Sequence, residues 1–190
     1  GDDTTAIDDA AEREGVARRE EVHRNGQELR LVSEESGERA FGSSEVVVVV
    51  DPIDGSVNAK RGLRNFCLSI AVAEGKTMGG VVFGYVHDFG TGEEWTATRG
   101  SGAFLDGEPL GGVLPKEHVE ILAMEGTLSA SVADHAVALV GYAQRFRITG
   151  SLALSMCQLA AGRVDAVCSL REVRSVDTAA AQLLVREVGL

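Results

Sequence analysis

Residues 46–58 read VVVVVDPIDGSVN. Five consecutive valines predict a short β-branched strand, Val46–Val50, covered on both faces and therefore central in a sheet. The chain then turns sharply and places Asp51, Asp54 and Ser56 within six residues. Gly55 to Ala59 predicts one helical turn, with Asp54 or Ser56 as its cap. A strand ending in two carboxylates, a proline and a glycine is either a structural turn or a metal and phosphate site. Two acids three residues apart are common. Two acids flanking Pro-Ile and followed by Gly-Ser are rare, and that order favours the site.

Upstream, Leu29–Val32 (LRLV) alternates as a strand does, and Glu34-Glu35 follows it. A solvated loop is the plain alternative for those two acids. A polar loop is expected from there to Ser44. Further upstream a helix is predicted from about Thr5 to Arg19, where Asp8 is either a helix-start residue or part of the site. Downstream, Leu68–Ala73 and Gly79–Val86 predict antiparallel strands joined at Glu74-Gly75-Lys76, and Glu94–Thr98 and Ala103–Leu105 complete a meander. Gly111-Gly112 marks a boundary. Residues 1–112 are expected to form an α+β part with a large meandering sheet and the metal motif. Residues 113–190 are expected to form an α/β part with a smaller sheet, cut short at its end. In this second part strands at Val119–Met124, Gln144–Ile148 and Val164–Cys168 alternate with helices at Ser131–Gly141, Gly150–Ala161 and Asp177–Val188. Asp177 is expected at the N-cap of the last helix.

Composition narrows the function classes. The chain has 29 acidic and 18 basic residues, a formal charge of −11. No basic stripe is present, so nucleic acid is not an expected partner. No apolar run approaches a membrane span, and the polar first thirty residues predict no secretory leader. Cys67, Cys157 and Cys168 form no C-x-x-C pair, which suits buried thiols in a reducing compartment and a cytoplasmic location. The histidines His23, His87, His118 and His135 show no ligand spacing. A zinc centre is therefore not expected.

What remains is oxygen chemistry. Glu34, Asp51, Asp54 and Asp177 all fall at element ends. If the strands before Glu34 and Asp51 are neighbours, their carboxylates emerge at one edge, where ligand sites lie in open α/β sheets. Carboxylates without histidine or cysteine select hard cations, above all Mg²⁺. Two such ions would cancel four negative charges, and the amides of Gly55 and Ser56 would then receive a phosphate. Paired ions about 4 Å apart suit displacement at phosphorus.

The run Asp51–Asn58 resembles the D-P-(I/L)-D-G-(T/S)-x-N motif of the inositol monophosphatase and fructose-1,6-bisphosphatase superfamily. Val32-Ser33-Glu34-Glu35-Ser36 resembles its upstream G-E-E-S element. Val176-Asp177-Thr178-Ala179-Ala180 resembles its W-D-x-A-A element, and Thr4–Asp8 its T-x-x-D. Val-Ser-Glu-Glu and Leu170–Arg174 lean toward the archaeal-type branch, whose members act on both inositol phosphates and fructose bisphosphate. The resemblance implies a layered αβαβα sandwich of the sugar-phosphatase type and a Mg²⁺-dependent phosphoric monoester hydrolase. Two or three ions per site are implied, with Mn²⁺ as a possible substitute. Glu34, Asp51 and the Ile53 carbonyl would hold one ion, and Asp51, Asp54 and Asp177 another. Gly55 and Ser56 would hold the phosphate. The Ser56 hydroxyl, with Glu34 and Asp8, would orient the attacking water. Arg171 and Arg174 would grip the sugar or a second phosphate, with surface ion pairs as the alternative. Ser169 stands where the family often has an acid contacting the substrate, and Val176 replaces the usual Trp. The implied partners are a small phosphorylated substrate and a second copy of the chain. Compared with the family's usual extent, the chain is expected to be trimmed at both ends. The alternatives are a 3′-phosphoadenosine 5′-phosphate phosphatase, a non-catalytic binding member of the fold, and an acidic globular protein with a structural turn.

Overall fold

The structure, a computed structural model, describes residues 28–34, 37–42, 45–112, 116–126 and 128–190. The helix expected at Thr5–Arg19, and Asp8 within it, lie outside these residues.

The described chain builds two sheets. The larger contains β1 (Leu29–Ser33), β2 (Gly37–Phe41), β3 (Val46–Asp54), β4 (Cys67–Glu74), β5 (Val81–Asp88), β6 (Glu94–Thr98), β7 (Gly102–Leu105) and β8 (Glu108–Pro109). Their order is β2-β1-β3-β4-β5-β6-β7-β8. From β3 onward this is the expected meander of antiparallel neighbours. The exception is β1, which runs parallel to β3 with Ser33 opposite Val50. The smaller sheet has the order β10-β9-β11 and is parallel throughout. Its strands are β9 (Val119–Glu125), β10 (Ala143–Arg147) and β11 (Ala166–Ser169). The helices are α1 (Ser56–Arg61), α2 (Ser129–Ala136), α3 (Leu152–Ala160) and α4 (Ser175–Glu187). Parallel neighbours need crossovers, and α2 and α3 supply them.

The larger of two apolar clusters among the described residues ties α3 and α4 to the larger sheet. It includes Val86, Trp95 and Ala97 from the strands, Leu154 and Cys157 from α3, and Ala180, Leu183 and Leu184 from α4. Each fully buried leucine contributes about 1.5–3 kcal/mol. Small residues set the spacing where α4 crosses β5. A Cβ on Gly84 would lie 2.6 Å from the Ala180 carbonyl oxygen, so the backbones meet where the sequence has Gly and Ala. The architecture is the layered α/β one expected, with helices sandwiched against sheet.

Several local expectations are corrected. The valine strand does not stop at Val50: β3 continues to Asp54, with a register shift against β4 between Asp51 and Asp54. The Pro-Ile step is absorbed as an irregularity in a strand instead of ending it. Nor is the strand covered on both faces along its whole length, since Val46 is exposed and Val48 half-buried. The polar loop expected after Glu34 contains β2, an edge strand with mostly exposed residues. The cap of α1 is Gly55, in the left-handed region at φ 93°, and neither Asp54 nor Ser56 caps it through a side chain. Asp177 is not an N-cap: α4 begins at Ser175, and Asp177 sits in its first turn.

Candidate metal centre

Parallel pairing of β1 with β3 places Glu34, one residue beyond Ser33, beside Asp51. The first turn of α4 brings in Asp177. Carboxylate oxygens of Glu34, Asp51 and Asp177 lie within 4.8 Å of one another. Asp51 and Asp177 are each 1% exposed. One oxygen of Asp51, Oδ1, accepts a hydrogen bond from the Ile53 amide at 3.0 Å. The other, Oδ2, is buried without a hydrogen-bond partner among the described residues. Burial, then the charges of Asp54, Glu34 and Asp177, push the Asp51 carboxyl up to about 9. A carboxyl raised this far holds its proton unless a cation takes its place.

Asp54 is held differently. Its Oδ2 accepts from the Ser151 hydroxyl at 2.7 Å and from the Ala153 amide at 2.8 Å, at the start of α3. It stands outside the group of three, close enough for its charge to raise Asp51. Burial pushes Asp54 itself up to about 6, against the lowering effect of those two bonds.

The arginines sit on the carboxylates. Arg174 donates to Glu34 and, at 2.9 Å, to Asp177 Oδ1. Arg171 Nη2 lies 3.5 Å from Asp177 Oδ2. Burial works against the charge of Arg174, but the bonds to Glu34 and Asp177 outweigh it and raise its pKa. Ser169 faces its own loop, donating to the Arg171 carbonyl at 2.9 Å.

A cleft of about 480 Å³ opens over this cluster. Of the residues predicted for the site, Glu34, Asp51, Ile53, Asp54, Gly55, Ser56, Arg171 and Arg174 line it, while Asp177 joins the cluster without forming a wall. Gly55 is required there by geometry. Besides its positive φ, a Cβ would lie 2.7 Å from the Asn65 carbonyl oxygen. A second hollow, of about 270 Å³, is walled by Val32, Val47, Val49 and Ala179 and holds none of the site residues.

The residues fit a hard cation. Among the described residues the donor set is all oxygen, three acids converge, and a buried carboxylate oxygen is without a partner. Sequence reasoning missed Ser151, Ala153 and Glu125. Ser151 is legible as an N-cap, since its side chain accepts from the Leu154 amide. Its bond to Asp54, 97 positions away, has no local signal.

Fold and site together define a phosphatase whose centre gathers acidic residues at the edge of a layered α/β sheet. The chain belongs to the inositol monophosphatase family, whose model matches residues 1–190. It is 32% identical over 200 residues to a fructose-1,6-bisphosphatase/inositol-1-monophosphatase of Methanothermobacter thermautotrophicus, covering 100% of this chain and 70% of that protein. It is 33% identical to the Nus factor SuhB of Escherichia coli, covering 99% of this chain and 70% of that protein. Among solved structures, the inositol monophosphatase of Thermotoga maritima superposes with a TM-score of 0.81 at 31% identity, over 97% of this chain and 69% of that one.

Proposed function

We propose that this chain hydrolyses a phosphomonoester on a small polyol or sugar, inositol monophosphate and/or fructose 1,6-bisphosphate, with Mg²⁺ as its natural cofactor. The observation that carries this reading is the three-carboxylate cluster, with Asp51 Oδ2 buried and without a partner among the described residues, under a cleft walled by Gly55 and Ser56. The relatives named for both substrates support the pairing.

Glu34, Asp51 and Asp177 would hold one ion among them. Asp54 and the Ile53 carbonyl would complete the ligand set. Such ions supply charge neutralisation and activation of water. The remaining work falls to the chain. Gly55 and Ser56 would receive the phosphoryl oxygens on their amides. Glu34 and the Ser56 hydroxyl would orient the attacking water, and the Glu34 carboxylate would accept its proton. Arg171 and Arg174 would turn from the carboxylates to the substrate once cations neutralise that cluster, offering planar donor pairs to a sugar or second phosphate. Asp8 would assist Glu34. We further propose that the protein works in the cytoplasm and as a homodimer.

Phosphate release from inositol monophosphate, fructose 1,6-bisphosphate and 3′-phosphoadenosine 5′-phosphate, with Mg²⁺ and with chelator, tests the reading. Release from one or both of the first two, abolished by chelator and restored by Mg²⁺, is expected. No release from any of the three with Mg²⁺ present would remove the enzyme reading. The nucleotide is expected to be the poorest substrate, since no aromatic side chain is among the described residues lining the cleft to stack on a base.

A further inference from the structure

Glu125 ends β9 with its side chain 3% exposed. Its side-chain hydrogen-bond partners among the described residues are all neutral. Oε1 accepts from the Thr149 amide at 3.2 Å, the Thr149 hydroxyl at 2.8 Å and the Ser155 hydroxyl at 2.6 Å. Oε2 accepts from the Gly150 amide at 2.9 Å. A buried carboxyl group is costly unless its oxygens find hydrogen-bond partners, and here both oxygens have them. Every one of these donors belongs to the turn before α3 or to α3 itself.

That turn also grips the site. Ser151 follows Gly150 directly and donates to Asp54, joined by the Ala153 amide. The Thr149 carbonyl accepts from Asn58 Nδ2 at 2.7 Å, and the same amide group donates to the Asn65 carbonyl at 2.7 Å. Residues 149–153 are thus pinned by Glu125 on one side. On the other they fix Asp54 and the short helix α1 that follows Gly55.

We propose that Glu125 is a positioning residue for the metal centre. Through the Thr149–Ser151 turn it sets the placement of the Asp54 carboxylate, and with it the affinity of the centre for a divalent cation. This rests on the metal-phosphatase reading above. A merely structural carboxylate would change stability and leave metal affinity alone.

Glu125→Gln keeps the size of the side chain but replaces one accepting oxygen with a donor, which then faces the donors of the turn. The test measures Mn²⁺ binding by calorimetry to chelator-treated protein, and phosphate release against Mg²⁺ concentration. Groups that orient metal ligands typically change affinity by about 10–100-fold, so a weakening of at least tenfold is expected in both readouts. The rate at saturating Mg²⁺ is expected to recover most of the wild-type value. Thr149→Val removes one hydroxyl bond from the same carboxylate and is expected to shift both readouts the same way by less. A folded Glu125→Gln protein with wild-type Mn²⁺ affinity overturns the proposal, as does a lost rate without a shift in metal dependence. Should Glu125→Gln fail to fold, Thr149→Val decides, and unchanged metal affinity in it overturns the proposal. A wild-type protein that neither binds Mn²⁺ nor releases phosphate removes the metal-phosphatase reading and this inference with it. A normal wild type with an unshifted variant removes this inference alone.

Discussion

Asp54 shows how charge and shape separate at a single residue. Its Oδ2 satisfies two donors from the start of α3, one a buried hydroxyl and one a backbone amide. An amide oxygen can accept both bonds, so Asp54→Asn keeps the fold while removing the negative charge. Turnover is expected to fall on the order of a hundredfold or more, since cation binding depends on that charge, while the melting temperature stays near the wild-type value. A D54N protein with wild-type turnover would remove Asp54 from the ligand set. Ser151→Ala is the complementary change. It leaves the charge but removes one donor from a buried carboxylate, a loss of about 1–3 kcal/mol. The Ser151 bond also lowers the Asp54 pKa, so its removal raises it further. The acidic limb of the rate–pH profile should therefore move to higher pH, which a profile of phosphate release at fixed Mg²⁺ would detect. Asp54 was legible in the sequence because DPIDGS is dense with chemistry. The roles of Ser151 and Glu125 at the site were not, because each acts on partners far away in the chain, and the N-cap signal of Ser151 says nothing of its bond to Asp54.

Among the elements, the stretch from β3 to α1 converts an extended strand into a short helix within one residue. Gly55 makes that step at φ 93°, with the Asn65 carbonyl oxygen closing off the space a Cβ would need. Gly55→Ala should cost about 1–3 kcal/mol for the strained conformation. For a chain of this size that corresponds to a fall of roughly 2–12 °C in melting temperature, and the displaced Ser56 should lower phosphate release more than the melting shift explains. Thermal melts and rates on the same preparation separate the two effects. The sequence misplaced the end of this strand because proline and two aspartates normally read as a turn. A register shift against β4 lets β3 continue through them. The edge strand β2 was missed for a related reason. Its residues are mostly exposed on both faces, so GERAF carries no alternation to read. Asp177 is of the residue type that favours a cap, yet Ser175 starts the helix, and Arg174 and Arg171 hold the carboxylate beside Glu34 and Asp51.

In the whole molecule, the meander and the alternating second part were legible because each strand and helix carries its own period and turn signals. The parallel contact of β1 with β3 was not. It depends on β2 folding back to the sheet edge, and it is this contact that sets Glu34 beside Asp51. The resulting centre links stability to pH in a way that metal should reverse. Asp51 is pushed up to about 9 and Asp54 to about 6, both chiefly by burial and both above the ordinary carboxyl value of 3.8. The folded state therefore binds these protons more tightly than the unfolded chain. The stabilisation they give is complete below about pH 4 and is lost as pH rises through 6 and then 9. In chelator, the melting temperature should accordingly decline between pH 5 and pH 9. A divalent cation competes with those same protons and binds the ionised carboxylates. The increase in melting temperature produced by Mg²⁺ should thus be small at pH 5 and widen steadily toward pH 9. Melts at pH 5, 7 and 9, each with chelator and with Mg²⁺, measure both trends. A Mg²⁺ increment that stays constant across that range would show that the ion binds somewhere other than the buried carboxylates of β3.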